Sequence, residues 1–390
     1  MKAIEIKKDI YWTGVKDWTL TNFHGHLTPM HSTYNSYVIL DEKITIVDGA
    51  KITLSDEMVE RVKTVADFSK VSYLVVNHVE MDHSGNIPIL MKLAPQIKII
   101  TDSAGKMALE EHYDTTGWEY VIVKAGDEVS IGKRTLVFVP TPMLHWPDSM
   151  VTYVKEDRLL LSNDAFGQHV CASSIFVKDV PIGVVLKEAK NYYANILTPF
   201  GMQAVKAVES LKDLEIDMIA PGHGCIWSGG EEVSLIIDTY RKWSSGEDKG
   251  YAVVVYDTMW GSTAKLADAV KSAFDDMGIP VVKCSLKDMH YSVVVTELME
   301  AKYVAVGTPT LNNQLYPSIA QFLTYIKGLG FKNKVGFAFN SYGWKPGVAN
   351  YIQEYFTQMG WQTKEPFAER FVPNSDILEQ IKEHVKKQFS

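Results

Sequence analysis

The strongest constraint on the fold of this 390-residue chain is a change of pattern at residues 244–250. The stretch Ser244-Ser245-Gly246-Glu247-Asp248-Lys249-Gly250 is small and charged, and the apolar run Tyr251-Ala252-Val253-Val254-Val255-Tyr256 follows at once. Such a step reads as a linker and the first buried strand of a new domain. Beyond it strands and helices alternate. Strands are predicted over Ala252 to Tyr256, Val281 to Ser285, Tyr303 to Gly307 and Lys334 to Phe339. Helices are predicted over Ser262 to Met277, Val294 to Ala301, Ser318 to Leu329, Val348 to Met359 and Ser375 to Lys387. Alternation of this length implies a parallel, doubly wound α/β sheet. The expected domains are therefore 1–246 and 250–390.

The first part is less regular. A hairpin is expected from Tyr37 to Leu40 and Ile44 to Asp48. A helix capped by Ser55 is expected to run to Phe68. Further strands are predicted at Val71 to Val76, Ile97 to Ile100, Leu136 to Val139, Met150 to Val154 and Leu159 to Leu161. Helices are predicted at Pro181 to Ile196 and Gln203 to Leu211, with Met218-Ile219-Ala220 as a last strand.

Composition excludes several classes. Hydrophobic residues make up 46% and charged residues 22%, which suits a globular chain. Lys and Arg number 39 against 47 Asp and Glu, a net charge of −8, so nucleic-acid binding is not expected. The three cysteines, Cys171, Cys225 and Cys284, form no Cys-x-x-Cys pair, which argues against a disulfide framework or a four-Cys metal site. The polar N-terminus and the lack of ~18 consecutive apolar residues argue against a signal peptide or membrane span. A reducing cytoplasmic location is expected.

One segment concentrates metal donors. His78-Val79-Glu80-Met81-Asp82-His83 follows the predicted strand ending at Val76. A loop leaving a rigid strand end can fan several side chains around one point. His145, Asp164 and His223 each lie at or just after another predicted strand. This ordered set resembles the metallo-β-lactamase superfamily, whose first motif is usually His-x-His-x-Asp-His; Glu80 replaces the second His. The set becomes four imidazoles and three carboxylates, a harder donor set that suits redox-active iron better than hydrolytic zinc. The resemblance implies that His78, Glu80 and His145 hold one iron, that Asp82, His83 and His223 hold the other, and that Asp164 bridges them. His24 and His169 have two readings each: groups that donate to a ligand or bound substrate, or ordinary hydrogen-bonded structural histidines. The roles of His26 and His31 are open. His112, His290 and His384 read as surface residues on or beside helices, and Cys225 as a buried bystander.

The second domain carries its own signal. The strand ending at Tyr256 runs into Asp257-Thr258-Met259-Trp260-Gly261-Ser262-Thr263 and then a helix. Hydroxyls and backbone N–H groups at a helix N-terminus cradle phosphate, and without a Gly-Lys-Ser/Thr triplet this is not a nucleotide triphosphatase loop. Thr-x-x-Gly-Ser-Thr after a first strand resembles flavodoxin. Two more loops follow the third and fourth strands: Thr308-Pro309-Thr310-Leu311-Asn312-Asn313 and Asn340-Ser341-Tyr342-Gly343-Trp344. They would supply aromatic faces, from Trp260, Tyr342 or Trp344, and amides for the flavin ring of FMN.

The fusion of an N-terminal αβ/βα metallo-β-lactamase-like sandwich with a C-terminal flavodoxin-like sheet resembles the flavodiiron proteins over nearly the whole chain. Asn340 stands where many relatives carry Gly. The resemblance implies an oxidoreductase that passes electrons from an external donor through FMN to two non-haem irons, reducing O2 to water or NO to N2O. By that resemblance the metal ligands are the same for both activities, so the sequence does not choose between them. A separate rubredoxin is the expected donor, with a deazaflavin-dependent route as the other reading; the three scattered cysteines cannot bind a rubredoxin iron here. A diiron gas sensor and a metallo-β-lactamase-type hydrolase are the rival readings, the hydrolase opposed by Glu80 and the flavin loops. Two domains of roughly 30 Å joined by a short linker would hold the flavin and metal sites far apart within a chain, so a head-to-tail homodimer or higher homo-oligomer is expected.

Overall fold

The facing β-sheets of the first half set where its side chains converge. The computed structural model describes residues 1–389. Two compact units emerge from its packing: Met1–Phe23, Thr28–Tyr192 and Met202–Arg241 form one, and His24–Leu27, Tyr193–Gly201 and Lys242 onward form the other.

In the first unit, a seven-stranded sheet runs in the order Ile4–Lys7, Ile10–Trp12, Tyr37–Ile39, Ile44–Val47, Val71–Val75, Lys98–Thr101, Glu119–Ile122. It is antiparallel up to Ile44–Val47 and parallel beyond. A six-stranded sheet runs Glu128–Ser130, Thr135–Pro140, Met150–Val154, Leu159–Asn163, Met218–Pro221, Trp227–Ser228. Alternation along the strands decides which side chains meet. Trp12, Tyr37, Val47, Val75 and Ile100 of the first sheet share one buried cluster with Leu136, Phe138, Val154, Leu159 and Leu161 of the second. The opposite face of the first sheet, through Val38, Ile46, Leu74 and Ile99, packs on Met58, Val62, Leu90 and Leu109 of its helices. This is the expected αβ/βα sandwich.

Several local expectations need correction. Ser55 does not cap its helix: Leu54 occupies that position without a side-chain bond, and Ser55 is buried in the first turn of Ser55–Lys63. The helix also stops short of Phe68, because Asp67 Oδ1 accepts from Ser69 N at 3.0 Å and starts a separate 3-10 turn, Phe68–Lys70. The helix predicted from Pro181 to Ile196 is α-helical only over Ile182–Tyr192 and widens to a π-turn at Tyr193–Leu197. Met218–Pro221 is not the last strand of its sheet, since Trp227–Ser228 pairs antiparallel with it.

In the second unit the strand order is Val281–Ser285, Ala252–Tyr256, Tyr303–Pro309, Val335–Tyr342, and then Gln362–Thr363 with Phe367–Arg370, all parallel. This is the 2-1-3-4-5 order of a flavodoxin-like sheet, with its ligand crevice at the carboxyl ends of the strands. The last edge, Gln362–Thr363 and Phe367–Arg370, was not predicted. These are a two-residue and a four-residue segment, mostly exposed or half-buried, with no apolar run to reveal them. No helix among the described residues is long and apolar enough to cross a membrane.

Candidate metal centre and flavin cavity

The seven predicted donors meet in two neighbouring groups. The available ligand atoms of His78, Glu80, His145 and Asp164 lie within 4.8 Å of one another, as do those of Asp82, His83 and His223. His78 follows the strand Val71–Val75, Asp164 follows Leu159–Asn163 and His223 follows Met218–Pro221, so the two facing sheets deliver them to a common edge. Asp82 and His83 come from a one-turn helix, Met81–Ser84, that starts just after Glu80.

Asp164 sits between the groups. Its Oδ1 lies 2.9 Å from His83 Nε2 and 3.4 Å from His223 Nε2. Its Oδ2 lies 3.0 Å from His145 Nε2 and 3.6 Å from His78 Nε2. Glu80 Oε2 stands 3.2 Å from His145 Nε2 and 3.4 Å from His78 Nε2, while Asp82 Oδ2 stands 3.3 Å from His223 Nε2.

The outer nitrogens are held by partners that orient the rings. His78 Nδ1 lies 3.1 Å from Asp148 Oδ2, which also accepts from Val79 N at 2.7 Å. His223 Nδ1 donates to the Thr33 carbonyl at 2.8 Å. With Nδ1 as donor, each ring presents the Nε2 lone pair to the centre. The backbone closes tightly around them: a Cβ on Gly222 would lie 2.8 Å from His83 Cε1.

The donor chemistry fits a pair of metal ions. Both oxygens of the Asp82 carboxylate are buried and accept no hydrogen bond, a costly state for an anion without a cation beside it. In the metal-free protein, protons serve as the countercharge. Burial would lower the His78 pKa, but Asp148, Glu80 and Asp164 outweigh it and raise it to about 10. For His145, Asp164 and Glu80 likewise overcome burial and bring it to about 10. Against the same burial, Asp82 and Asp164 raise His83 to about 9. Burial opposes ionisation of Asp164, yet the surrounding imidazoles, His83 foremost, hold it well below the usual carboxylate range.

Asp148, three residues after His145, is the functional residue that sequence reasoning left without a role; its spacing alone gave no sign that it turns toward His78. Asp148→Ala is expected to weaken metal retention at the His78 group by about 10- to 100-fold with the fold kept, as measured by chelator competition. Unchanged retention would remove Asp148 from the centre.

His169 is buried in the same unit, with Nδ1 2.8 Å from Ser32 Oγ and its ring 5.1 Å from that of His223 and 5.0 Å from that of Tyr192. His24 is exposed and belongs to the stretch that packs with the second unit. Cys225 is buried and free, outside both donor groups, and burial pushes its thiol up to about 12. Among the other histidines, His26 is buried and half-buried His290 caps the helix Tyr291–Leu298, accepting from Ser292 N.

In the second unit a cavity of about 620 Å3 opens at the carboxyl ends of the strands, within the range for small-molecule sites. Thr258, Met259, Trp260, Ser262, Pro309, Thr310, Leu311, Asn312, Asn313, Ser341, Tyr342, Gly343 and Trp344 line it, and all of them were predicted. Gly261 precedes the helix Ser262–Asp276 with φ +88°, a conformation that favours glycine, and its N–H donates to Thr258 Oγ1 at 3.0 Å. A hydroxyl-rich helix N-terminus and aromatic side chains in one cavity fit a phosphorylated flavin. Trp260 and Trp344 stand almost wholly exposed at 93% and 87%.

Four of the predicted flavin residues, Gly261, Thr263, Thr308 and Asn340, are not among those lining the cavity, and the last three bond the surrounding segments together. Thr263 Oγ1 and Ser341 Oγ are 2.8 Å apart, which ties the first helix to the fourth strand. Buried Thr308 accepts from Tyr316 N through its hydroxyl. Buried Asn340 donates to the Thr308 carbonyl at 2.9 Å and to Thr310 Oγ1 at 3.1 Å, clamping the two later loops together. Lys345, Phe371 and Val372 line the cavity and were missed. Phe371 and Val372 follow the unpredicted strand Phe367–Arg370, so no signal marked them.

A sandwich with a paired His/carboxylate centre, joined to a flavodoxin-like sheet with a flavin-sized cavity, defines a two-cofactor redox protein. Comparison with known proteins agrees. The family described as "ODP family beta lactamase" matches residues 32–224, and "Flavodoxin" matches residues 254–384. The chain is 41% identical to the nitric oxide reductase of Moorella thermoacetica, covering 90% of this chain and 89% of that protein. It is 37% identical to the rubredoxin-oxygen oxidoreductase of Megalodesulfovibrio gigas, covering 98% and 96%. The crystal structure of the flavodiiron protein from Giardia intestinalis superposes with a TM-score of 0.96 at 32% identity, covering all of this chain and 96% of that one. The chain belongs to the flavodiiron protein family.

Proposed function

We propose that this chain takes electrons from an external donor through FMN to two irons and reduces O2 to water, or NO to N2O. O2 takes four electrons and four protons to give two waters; two NO take two electrons and two protons to give N2O and one water. When bound, the flavin relays electrons singly and the paired irons deliver them to both substrate atoms together. The chain's own residues would hold that pair: His78, Glu80 and His145 one ion, Asp82, His83 and His223 the other, with Asp164 serving both. Asp148 and the Thr33 carbonyl keep His78 and His223 in the ligating tautomer. The residues lining the cavity would hold FMN, with Thr258 and Ser262 to bind its phosphate. Residues 1–246 carry the metals and 250–390 the flavin. The observation that carries this reading is the division of the Asp164 carboxylate, one oxygen toward each histidine group.

The test is turnover of iron- and FMN-loaded protein with a reduced rubredoxin system, O2 and NO consumption being followed in parallel. Catalytic consumption of either gas supports the reading. Stoichiometric binding without turnover would indicate a sensor, and zinc with hydrolytic activity would indicate a hydrolase. A separate rubredoxin is the donor we favour, by resemblance to the rubredoxin-oxygen oxidoreductase. Three buried free thiols agree with a cytoplasmic setting.

The working unit is a head-to-tail homodimer or a larger assembly built from it, in which the flavin of one chain serves the irons of its partner. A mixed dimer tests this. A His145→Ala chain is combined with one carrying Thr258→Ala and Ser262→Ala. Activity is expected to return in the mixture, because one intact flavin site faces one intact metal site across the pair. A mixture as inactive as its two parents would place transfer within a single chain.

A further inference from the structure

We propose that Lys345 tunes the flavin potential, its ammonium placing positive charge beside the ring and favouring the anionic, fully reduced state. The inference rests on FMN occupying the cavity described above. Lys345 is the one charged residue lining that cavity among the described residues, and no carboxylate lines it. It is exposed, and none of the ion pairs among the described residues involves it, so its charge is not spent on a protein partner. The loop that carries it is held from both sides. The Lys345 carbonyl accepts from Thr310 Oγ1 at 3.5 Å, Arg370 Nε donates to the Gly343 carbonyl at 2.9 Å, and Phe371 N donates to the Tyr342 carbonyl at 2.7 Å. Arg370 itself is engaged over the Phe371 ring, its guanidinium carbon 4.7 Å from the centroid, and does not line the cavity.

Topology places Lys345 away from the phosphate end. The phosphate cradle follows the strand Ala252–Tyr256, while Lys345 follows Val335–Tyr342, two positions along in the sheet order. Neighbouring strands lie about 4.8 Å apart, so the two strand ends stand about 10 Å from each other, with the Thr263 and Ser341 hydroxyls meeting between them at 2.8 Å. Lys345 shares its loop with Trp344 and Tyr342, the aromatic residues suited to the ring. Full reduction of a flavin to its anionic form adds negative charge to that ring. A cation at the cavity rim stabilises this state more than the neutral oxidised one, by an amount that solvent screening limits. Lys345 is a positioning charge rather than a catalytic residue.

Potentiometric titration of FMN-loaded wild-type, Lys345→Gln and Lys345→Glu proteins tests the proposal, with the affinity for oxidised FMN measured alongside. The equilibrium constant for uptake of the second electron is expected to fall about threefold in Lys345→Gln, or about 28 mV, and further in Lys345→Glu. Affinity for oxidised FMN is expected to stay within about twofold. Two outcomes overturn the proposal while leaving the flavin assignment intact. One is an unchanged second potential in both variants. The other is weakened binding of oxidised FMN with both potentials unchanged, which would assign Lys345 to the phosphate. Wild-type protein that retains no FMN would instead overturn the functional reading, and this inference with it.

Discussion

Asp164→Ala is expected to drop metal content from two ions per chain to one or fewer, and to cut O2 or NO turnover by about a hundredfold or more. The reason is the division of its carboxylate. Oδ1 stands 2.9 Å from His83 Nε2 and Oδ2 stands 3.0 Å from His145 Nε2, so one side chain serves both groups. Removing it takes an anionic oxygen from each ion at once and leaves the two dications less shielded from one another. Glu80→Ala removes a donor only from the group containing His78 and His145, so it should leave the other group loaded. Metal analysis of both variants, prepared with ample ferrous iron, separates the cases. Equal retention in the two would contradict a bridging Asp164.

Iron loading of the metal-free protein should strengthen steeply with pH. His78 and His145 titrate at about 10 and His83 at about 9 in the absence of metal, because the clustered carboxylates outweigh burial. At pH 7 all three imidazoles therefore carry a proton that a metal ion must displace. Loading the His78 and His145 group displaces two protons and loading the His83 group displaces one, so apparent affinity rises by up to about a hundredfold and about tenfold per pH unit, respectively, between pH 7 and 8.5. Stability of the metal-free protein moves the opposite way. These raised pKa values contribute stability that is fully present below the unfolded value of about 6.5 and is lost as pH climbs through 9 to 10. The melting temperature of metal-free protein is thus expected to fall across that window. Anaerobic proton-release measurements during ferrous iron addition, with chelator competition at pH 6.5, 7.5 and 8.5, check the first half. Loading that releases no protons would show that the imidazoles are already neutral.

Much of the fold was legible because the second half of the chain advertises it. Ala252–Tyr256, Tyr303–Pro309 and Val335–Tyr342 are apolar runs bounded by Gly-, Pro- or Asn-containing loops, and each is buried on both faces. Phe367–Arg370 escaped notice because it is an edge strand with an alternating, half-exposed pattern and two charges. In the first half, the small strands Ile10–Trp12 and Val15–Asp17 are too short for periodicity to register, although Trp12 and Val15 are fully buried. Ser55 misled through its type: a serine ahead of acidic residues reads as a cap, but its side chain is buried and Leu54 takes the capping position.

The sequence by itself determined which chemistry this protein can hold. Four imidazoles and three carboxylates in a set order, with Glu80 as the unusual member, and three loops following three apolar strands specify donor types and a flavin-type crevice. Those features are local, and residue type and spacing express them directly. Tertiary structure decided how the donors are shared and oriented. That Asp164 divides its oxygens between two groups depends on facing sheets bringing His83, His145 and His223 to one carboxylate. That the Thr33 carbonyl fixes the tautomer of His223 depends on a hydrogen bond across 190 residues of chain. That Lys345, Phe371 and Val372 line the same cavity as Thr258 depends on strand order. A backbone carbonyl or a sheet neighbour carries no signature in residue type. Only burial, which forces each polar group to find a partner and each strand to find its edge, selects them.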